Sequence, residues 1–165
     1  MRFKTYSYRF AEQVLNSRLQ LKKEIEEIIE SIYRPKGFSR PELNKAFEKK
    51  FKELQWESQP AVFDEPEDPS AKIDFLKGRI GVEVCFGHHS FIGIDLLKFQ
   101  TLSYSNLDKI DVGVYIVVTS GMIKKYRKDY KQKWEGSLTF EKVCRYLPHF
   151  RSAIQVPIFA YGLEE

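Results

Sequence analysis

Residues 71–86 constrain the fold more than any other part of this chain. They form two alternating apolar and polar runs on either side of Lys77-Gly78, a dipeptide that favours a tight turn. The pattern predicts a β-hairpin in which Leu76 pairs with Arg79 across the turn. Because a hairpin with one apolar face must bury that face, the chain is expected to pack further elements against it.

Side chains alternate between the two faces of a hairpin, so this pairing sorts them into two sets. The polar face includes Asp74, Glu83 and Cys85, with the two acidic residues diagonal to each other and roughly 7–8 Å apart at the backbone. Carboxylates at this separation can reach one divalent cation, although a solvent-facing hairpin with ordinary acidic residues has the same pattern. The predicted apolar face consists of Ala71, Ile73, Phe75, Ile80, Val82, Val84 and Phe86.

The composition indicates a globular protein, and the length favours a single domain, residues 1–165. The chain is 42% hydrophobic and 30% charged, which argues against wholesale disorder. No apolar run reaches ~20 residues and the N-terminus lacks a signal-peptide core, so we expect a cytoplasmic protein. Cys85 and Cys144 are expected to be free thiols. The net charge of +4 is compatible with nucleic-acid binding but does not require it.

Elsewhere the apolar periodicity predicts an α/β fold with a mixed β-sheet flanked by helices. Residues 110–119 are rich in Val and Ile and predict a strand covered on both faces. Residues 154–161 predict a last strand, in which Pro157 favours an edge position or a bulge. Helices are predicted over residues 18–33, from the capping residues Ser39 and Glu42 to about 54, over 90–106 as one helix or two short ones, and over 139–147, with a loop over 60–69 and a polar segment over 120–136.

A basic and aromatic cluster occupies residues 124–134. Its three aromatic residues recur every four positions, which predicts an aromatic stripe facing the core. The cations between them would then face outward, where they could neutralise phosphate groups of DNA. The alternative is a solvated helix face without a partner. The candidate DNA-binding cations are Lys124, Lys125, Arg127 and Lys128.

Several segments, taken in order, resemble the BglII/BstYI-type restriction endonucleases of the PD-(D/E)XK superfamily. The resemblance implies a restriction-endonuclease-like core that opens with helices from Tyr8 onward. It also implies a type II restriction endonuclease that hydrolyses double-stranded DNA with Mg²⁺ at a short palindromic site, as a homodimer. The similar segments are residues 8–16, 23–27, 73–75, 82–86, 114–121, 156–158 and 162–163.

In this resemblance Asp74 and Glu83 are the catalytic metal ligands. Cys85 falls at the water-positioning place, where the family has Gln and most related nucleases have Lys. Since a thiol is a weak hydrogen-bond donor, two alternatives stay open: a DNA-binding protein with impaired cleavage, and a repair or junction-resolving nuclease on the same core. The resemblance also places Gln59 near a further polar active-site position.

The segment after the hairpin, His88, His89 and Ser90, falls where the family contacts DNA bases. Its residue types differ from those of the family, so the recognition sequence does not carry over. Neighbouring histidines on a strand would point in opposite directions, which makes a shared zinc site unexpected.

Overall fold

The computed structural model describes residues 1–63, 71–104 and 107–165, in which one mixed sheet has helices on both faces. The strands are β1 (Arg2–Tyr8), β2 (Glu57–Ser58), β3 (Phe75–Lys77), β4 (Ile80–Val84), β5 (Val112–Val118) and β6 (Ile158–Glu164). The helices are α1 (Ala11–Asn16), α2 (Leu19–Ser31), α3 (Arg40–Glu53), α4 (Ile92–Tyr104), α5 (Ser120–Tyr130) and α6 (Phe140–Tyr146), with 3₁₀ turns at His89–Phe91 and Leu147–Phe150.

The sheet has the strand order β1-β6-β5-β4-β3-β2. Strands β4, β5 and β6 run parallel in its centre, and β1, β3 and β2 add antiparallel partners at the sides. All seven residues of β5 are buried, because helices cover both faces of the sheet as a parallel centre requires. The predicted fold class, a mixed sheet flanked by helices, is confirmed.

Two apolar cores lie on opposite faces of the sheet. The first contains buried residues of α1, α2, α3 and α5 together with Phe75, Ile80 and Val82 of the hairpin. The second contains buried residues of α4 and α6 together with Tyr115 and Val117 of β5. The β3–β4 hairpin therefore lies between two packed layers, and neither of its faces is fully exposed to solvent.

The hairpin forms, but its turn is one residue further along than predicted. Gly78 and Arg79 are the turn residues, with φ of 52° and 64°, and positive φ at both positions is the requirement of a type I′ turn. Phe75 consequently pairs with Val82, so the predicted pairing of Leu76 with Arg79 is wrong. Pairing partners move by two residues, and since the side-chain alternation also has a period of two, β3 and β4 keep the same facing.

Two residues of the predicted apolar face lie in the other core. Ala71 and Ile73 pack with α4 and β5, whereas Phe75, Ile80 and Val82 pack with α2 and α3. The chain bends at Asp74 before β3 begins at Phe75. Strict alternation therefore does not extend back through the bend.

The opening helices that the resemblance implied are present as α1 and α2, but a strand that the sequence pattern did not predict precedes them. Residues 2–8 form β1, and α1 starts only at Ala11. Tyr8 alone is buried in this strand, so the hydrophobic pattern that identifies a strand is nearly absent.

The last strand is also placed differently, because β6 lies between β1 and β5 and not at a sheet edge. Pro157 precedes the strand, where its missing N–H costs no ladder bond, and its carbonyl accepts a hydrogen bond from Gly113 N at 2.9 Å.

The other predicted helices are confirmed, including the capping box in which Ser39 N donates to Glu42 Oε2 at 2.8 Å. The segment 120–136 contains α5. The acidic stretch 64–68 of the predicted loop lies outside the described residues.

Candidate active site

The hairpin brings the side chains of Asp74 and Glu83 together on the side opposite Phe75 and Val82. Asp74 lies at the bend just before β3, so it has no ladder partner, but its carboxyl group is within hydrogen-bonding reach of the Glu83 side chain. Val84 N donates a hydrogen bond to Asp74 Oδ2 at 2.8 Å, which holds this carboxylate against β4. Glu83 is only 4% exposed, so the solvent-facing hairpin that the sequence left open is excluded.

Helix α4 adds two charged residues to this pair. The Lys98 ammonium lies 2.9 Å from Glu83 Oε1 and 3.2 Å from Asp95 Oδ1. Tyr115, which is fully buried on β5, donates its hydroxyl hydrogen bond to Asp95 Oδ2 at 2.7 Å. We call Asp74, Glu83, Asp95, Lys98 and Tyr115 the polar cluster.

Sequence reasoning missed the α4 members of this cluster. Asp95 and Lys98 stand three residues apart within the otherwise apolar stretch 92–99, a spacing that places them on one helix face. Charged groups inside an apolar run must be paired or hydrogen-bonded if they are buried. That rule could have marked both residues, although it could not have identified Glu83 as their partner.

The electrostatics of the polar cluster favour the arrival of a cation. Burial raises the pKa of Glu83 well above its usual range, and the charges of Asp74 and Asp95 raise it further. Burial also raises the pKa of Asp74. For Lys98, burial lowers the pKa, but attraction to Glu83 and Asp95 outweighs this effect and the net pKa is raised. A divalent cation would relieve the burial cost and the mutual repulsion that raise the pKa values of these carboxyl groups.

Cys85 lies two residues beyond Glu83, partly buried beside Tyr115 and Asp95. Burial raises the pKa of the thiol to about 12, and the charge of Asp95 contributes in the same direction. The side chain is therefore a neutral thiol near neutral pH, and it is not a nucleophile or a strong metal ligand. Both Cys85 and Cys144 are free, as predicted.

A cleft of about 200 Å³ opens beside Asp74. Gln59 lines it, and its backbone N–H donates to the Asp74 carbonyl at 2.9 Å. Asn44 and Glu48 of α3 form another part of the wall. Gln59 therefore lies in the same site as Asp74, in agreement with the position that the resemblance gave it.

The segment after β4 forms a 3₁₀ turn that begins at its cap, His88. His88 Nδ1 lies 2.9 Å from Ser90 Oγ, and His89 Nδ1 lies 3.1 Å from the Gly136 carbonyl. The two imidazoles lie on the same side with their centroids 4.2 Å apart, so the expectation that they point in opposite directions is wrong. His88 and Ser90 are exposed, whereas His89 is partly covered.

The first part of the basic and aromatic cluster, residues 124–130, lies on α5, which ends at Tyr130, and Trp134 follows the helix. Tyr126 and Trp134 are each about 1% exposed and contact each other edge to face. The four candidate cations, Lys124, Lys125, Arg127 and Lys128, are exposed.

Backbone hydrogen bonds join the turn after β4 to residues that follow the basic cluster. His89 N donates to the Gly136 carbonyl and Leu138 N donates to the Gly87 carbonyl, both at 2.9 Å. The turn after β4 is thereby joined to the chain that follows α5.

Neither a membrane-spanning helix nor a metal site with three or more protein ligands is found among the described residues. No helix in residues 1–63, 71–104 and 107–165 is long and apolar enough to cross a membrane. Within the same ranges, no group of three or more His, Cys, Asp or Glu side chains is arranged to hold a metal ion. A metal at this site would therefore depend on a pair of protein ligands.

Comparison with known proteins agrees with this architecture. The crystal structure of restriction endonuclease BglII complexed with a DNA 16-mer is similar over the whole chain and 79% of that protein, with 21% identity and a TM-score of 0.79. The structure of free BglII is similar over the whole chain and 80% of that protein, with 22% identity and a TM-score of 0.69. No curated protein sequence gives a match.

The family profile described as restriction endonuclease BglII/BglIII matches residues 3–163. This match spans nearly the whole chain and confirms the resemblance found in the sequence. The chain therefore belongs to the BglII/BglIII family of restriction endonucleases, and it is a type II site-specific deoxyribonuclease.

Proposed function

We propose that this restriction endonuclease uses Mg²⁺ held by Asp74 and Glu83 to hydrolyse phosphodiester bonds of double-stranded DNA, and that it acts as a homodimer on a short palindromic site. The observation that carries the proposal is the pair of carboxyl groups that the hairpin holds together, Asp74 beside β3 and Glu83 on β4, whose mutual repulsion a divalent cation would relieve. Cleavage would leave 5′-phosphate and 3′-hydroxyl ends.

The donor set fits Mg²⁺ better than other common metals. Asp74 and Glu83 offer hard carboxylate oxygens, and Mg²⁺ is typically held by one or two carboxylates while water and substrate phosphates supply the remaining ligands. Zinc favours three or four His or Cys ligands, and the described residues hold no such group. When bound, Mg²⁺ supplies positive charge that screens the phosphate and lowers the pKa of water.

The chain's own residues hold the reacting groups in place. The backbone of Val84 fixes Asp74, and Lys98 fixes one oxygen of Glu83. In the reaction the oxygen of a water molecule bonds to phosphorus and the bond from phosphorus to O3′ breaks. The proton of the water passes to solvent, and O3′ takes up a proton from solvent. Cys85 is a neutral thiol beside the site. Its S–H group can donate only a weak hydrogen bond, and it does not act as a base.

The exposed cations of α5 are proposed to contact DNA phosphates. Lys124 and Lys128 lie one helical turn apart and are exposed, and within the described residues neither forms an ion pair with a carboxylate. Their charge is therefore available to a phosphate group. The turn after β4 is hydrogen-bonded to the chain that follows α5 and contains His88, His89 and Ser90. We propose that these three residues contact the DNA bases or the adjacent DNA backbone.

A homodimer is supported by an unusual surface of α4. Large apolar side chains at helical spacing are exposed here, each by 50–57%, and two of them, Ile94 and Leu97, line one groove together with Lys98. Exposed apolar stripes of this kind mark interaction sites. A second copy would also place two active sites on the two strands of a palindrome. The stripe consists of Phe91, Ile94, Leu97 and Tyr104.

Light scattering can test the dimer with the double variant Ile94→Asp/Leu97→Asp. We expect the wild type at about twice the mass of one chain and the variant at the mass of one chain. Leu19→Asp, at an equally exposed position of α2, is the matched control and should remain dimeric. A wild type that is monomeric at working concentrations would contradict the homodimer.

The function is tested by digestion of plasmid DNA of known sequence with wild type, Glu83→Gln and Glu53→Gln, in Mg²⁺ and in chelator. Discrete fragments from the wild type and from Glu53→Gln, in Mg²⁺ only, are the expected result. Glu53 is an exposed residue of α3 and serves as the control. Binding to one sequence without cutting in Mg²⁺ or Mn²⁺ would instead favour a non-cleaving DNA-binding protein. Preference for branched or nicked DNA would favour a repair enzyme.

A further inference from the structure

The strand position two residues after Glu83 provides no charged group to the reaction, since Cys85 occupies it. Helix α4 nevertheless delivers a cation to the same carboxylate, because Lys98 Nζ lies 2.9 Å from Glu83 Oε1. We propose that Lys98 is a catalytic residue of this enzyme, which donates a hydrogen bond to the attacking water or to the phosphate under attack. This inference rests on the proposed function.

The geometry leaves one donor of Lys98 free for this role. An ammonium group has three N–H donors, and two of them are directed at Glu83 Oε1 and Asp95 Oδ1. Within residues 1–63, 71–104 and 107–165, no further acceptor contacts this nitrogen. The third N–H is therefore available to a substrate oxygen close to Glu83, the proposed metal ligand.

The position of Lys98 is fixed on two sides, as catalysis by preorganised charge requires. Its two carboxylate partners are 5% and 9% exposed, whereas the Lys98 side chain is 20% exposed. Asp95 is itself held by the hydroxyl of Tyr115 at 2.7 Å. The ammonium is thus anchored from the interior and is still reachable from outside.

A purely structural role for Lys98 makes different predictions. If the ammonium only neutralised Glu83 and Asp95, a divalent cation at Glu83 could replace it, and cleavage at saturating Mg²⁺ would not need Lys98. If the ammonium contacts the reacting atoms, saturating Mg²⁺ cannot compensate for its loss. The maximal single-turnover rate separates the two roles.

The test compares wild type, Lys98→Met, Lys98→Ala and Thr101→Ala with supercoiled plasmid DNA at saturating Mg²⁺. Lys98→Met keeps most of the aliphatic stem and loses the charge, and we expect a rate at least ~100-fold lower, the loss typical of one preorganised donor. Lys98→Ala should regain at least ~10-fold when methylammonium supplies the missing cation. Thr101→Ala, one turn along α4, should cleave like the wild type.

Calorimetric titration with Ca²⁺ gives a readout that is independent of cleavage. We expect both Lys98 variants to bind Ca²⁺ at least as tightly as the wild type, because the ammonium no longer competes for Glu83 Oε1. Weaker Ca²⁺ binding would overturn the proposal, since Lys98 would then serve only to build the carboxylate site.

Two further results would also overturn it. One is cleavage by Lys98→Met within threefold of the wild-type rate, and the other is a slow Lys98→Ala that methylammonium does not restore. An inactive wild type would instead contradict the proposed function, so the two failures are distinguishable.

Discussion

The two faces of the β3–β4 hairpin are built on different principles. On one face Phe75 stacks on Phe51 with ring centroids 4.3 Å apart, and Phe51 meets Trp56 edge to face at 5.2 Å. On the other face Glu83 is buried against Lys98 of α4. Apolar packing stabilises a fold directly, whereas a buried ion pair recovers its desolvation cost only in part. The difference indicates that the first face is built for stability and the second for chemistry.

The sharpest test of this difference is Glu83→Gln, which removes a charge and keeps the shape. We expect cleavage to fall by at least ~10³-fold, about 4 kcal/mol in activation free energy. The free energy of unfolding should stay the same or increase, because a buried carboxylate that lacks full compensation is removed. Single-turnover cleavage and urea denaturation measure the two quantities, and a variant that loses both would contradict the division between the faces.

The same residue predicts how the stability of the metal-free protein depends on pH. A carboxyl group whose pKa is raised by folding binds its proton more tightly in the native state, so stability falls as pH rises above the unfolded pKa of Glu, ~4.3. We expect the wild type in chelator to lose stability on going from pH 5 to pH 8, and Glu83→Gln to lose less. Denaturant titrations at the two pH values measure this loss. An equal loss of unfolding free energy in the wild type and in Glu83→Gln would contradict the raised pKa of Glu83.

On the apolar face, Phe51→Ala should produce the opposite outcome. The loss of its contacts with Phe75 and Trp56 leaves a cavity, and the unfolding free energy should fall by about 3–5 kcal/mol. Leu54→Ala, at an exposed position near the end of α3, should cost much less. At a temperature where the folded fraction is still high, Phe51→Ala should cleave at close to the wild-type rate per folded molecule.

Smaller effects are expected away from the hairpin, where the proposed DNA contacts of α5 can be tested. Lys124→Ala/Lys128→Ala should weaken DNA binding in Ca²⁺ and reduce the slope of log K against log salt by up to ~1.8, which is ~0.9 for each phosphate contact. Lys23→Ala/Lys45→Ala removes the same charge from exposed positions on α2 and α3. If both double variants have the same slope, α5 does not contact DNA.

The smallest effect concerns a local feature that supports the apolar face. Ser39→Ala breaks the capping box of α3 and should lower the unfolding free energy by about 1 kcal/mol. Ser152→Ala, in an exposed turn, is the control. Cleavage by folded Ser39→Ala should be unchanged, and a loss of activity beyond the loss of folded protein would contradict a purely structural role.

Local rules predicted much of the fold because the relevant signals are short in range. The capping box at Ser39 and the periodicity of α2 identify helices from neighbouring residues alone. Alternation also predicted which side chains of β3 and β4 share a face, although the turn residues are Gly78 and Arg79 and not Lys77 and Gly78. The positive φ of Arg79 accompanies its contacts with Asp108 and Asp111, which are distant in sequence.

Only part of the candidate site could be predicted, because local signals do not reveal contacts between residues that are distant in sequence. Asp74 and Glu83 belong to one hairpin, so spacing could bring them together. Lys98 reaches Glu83 from a helix 15 residues away, and only the packing of α4 on the sheet determines that contact. The position of β6 inside the sheet likewise depends on β1, whose sequence carries almost no burial pattern.

The central claim, that the polar face is a metal-dependent catalytic centre, is tested most directly by anomalous scattering from crystals grown with Mn²⁺. We expect a Mn²⁺ peak within about 2–2.5 Å of a carboxylate oxygen of both Asp74 and Glu83, and no such peak in crystals of Glu83→Gln. A wild type that cleaves DNA in Mn²⁺ but binds the ion elsewhere, or not at all, would contradict it.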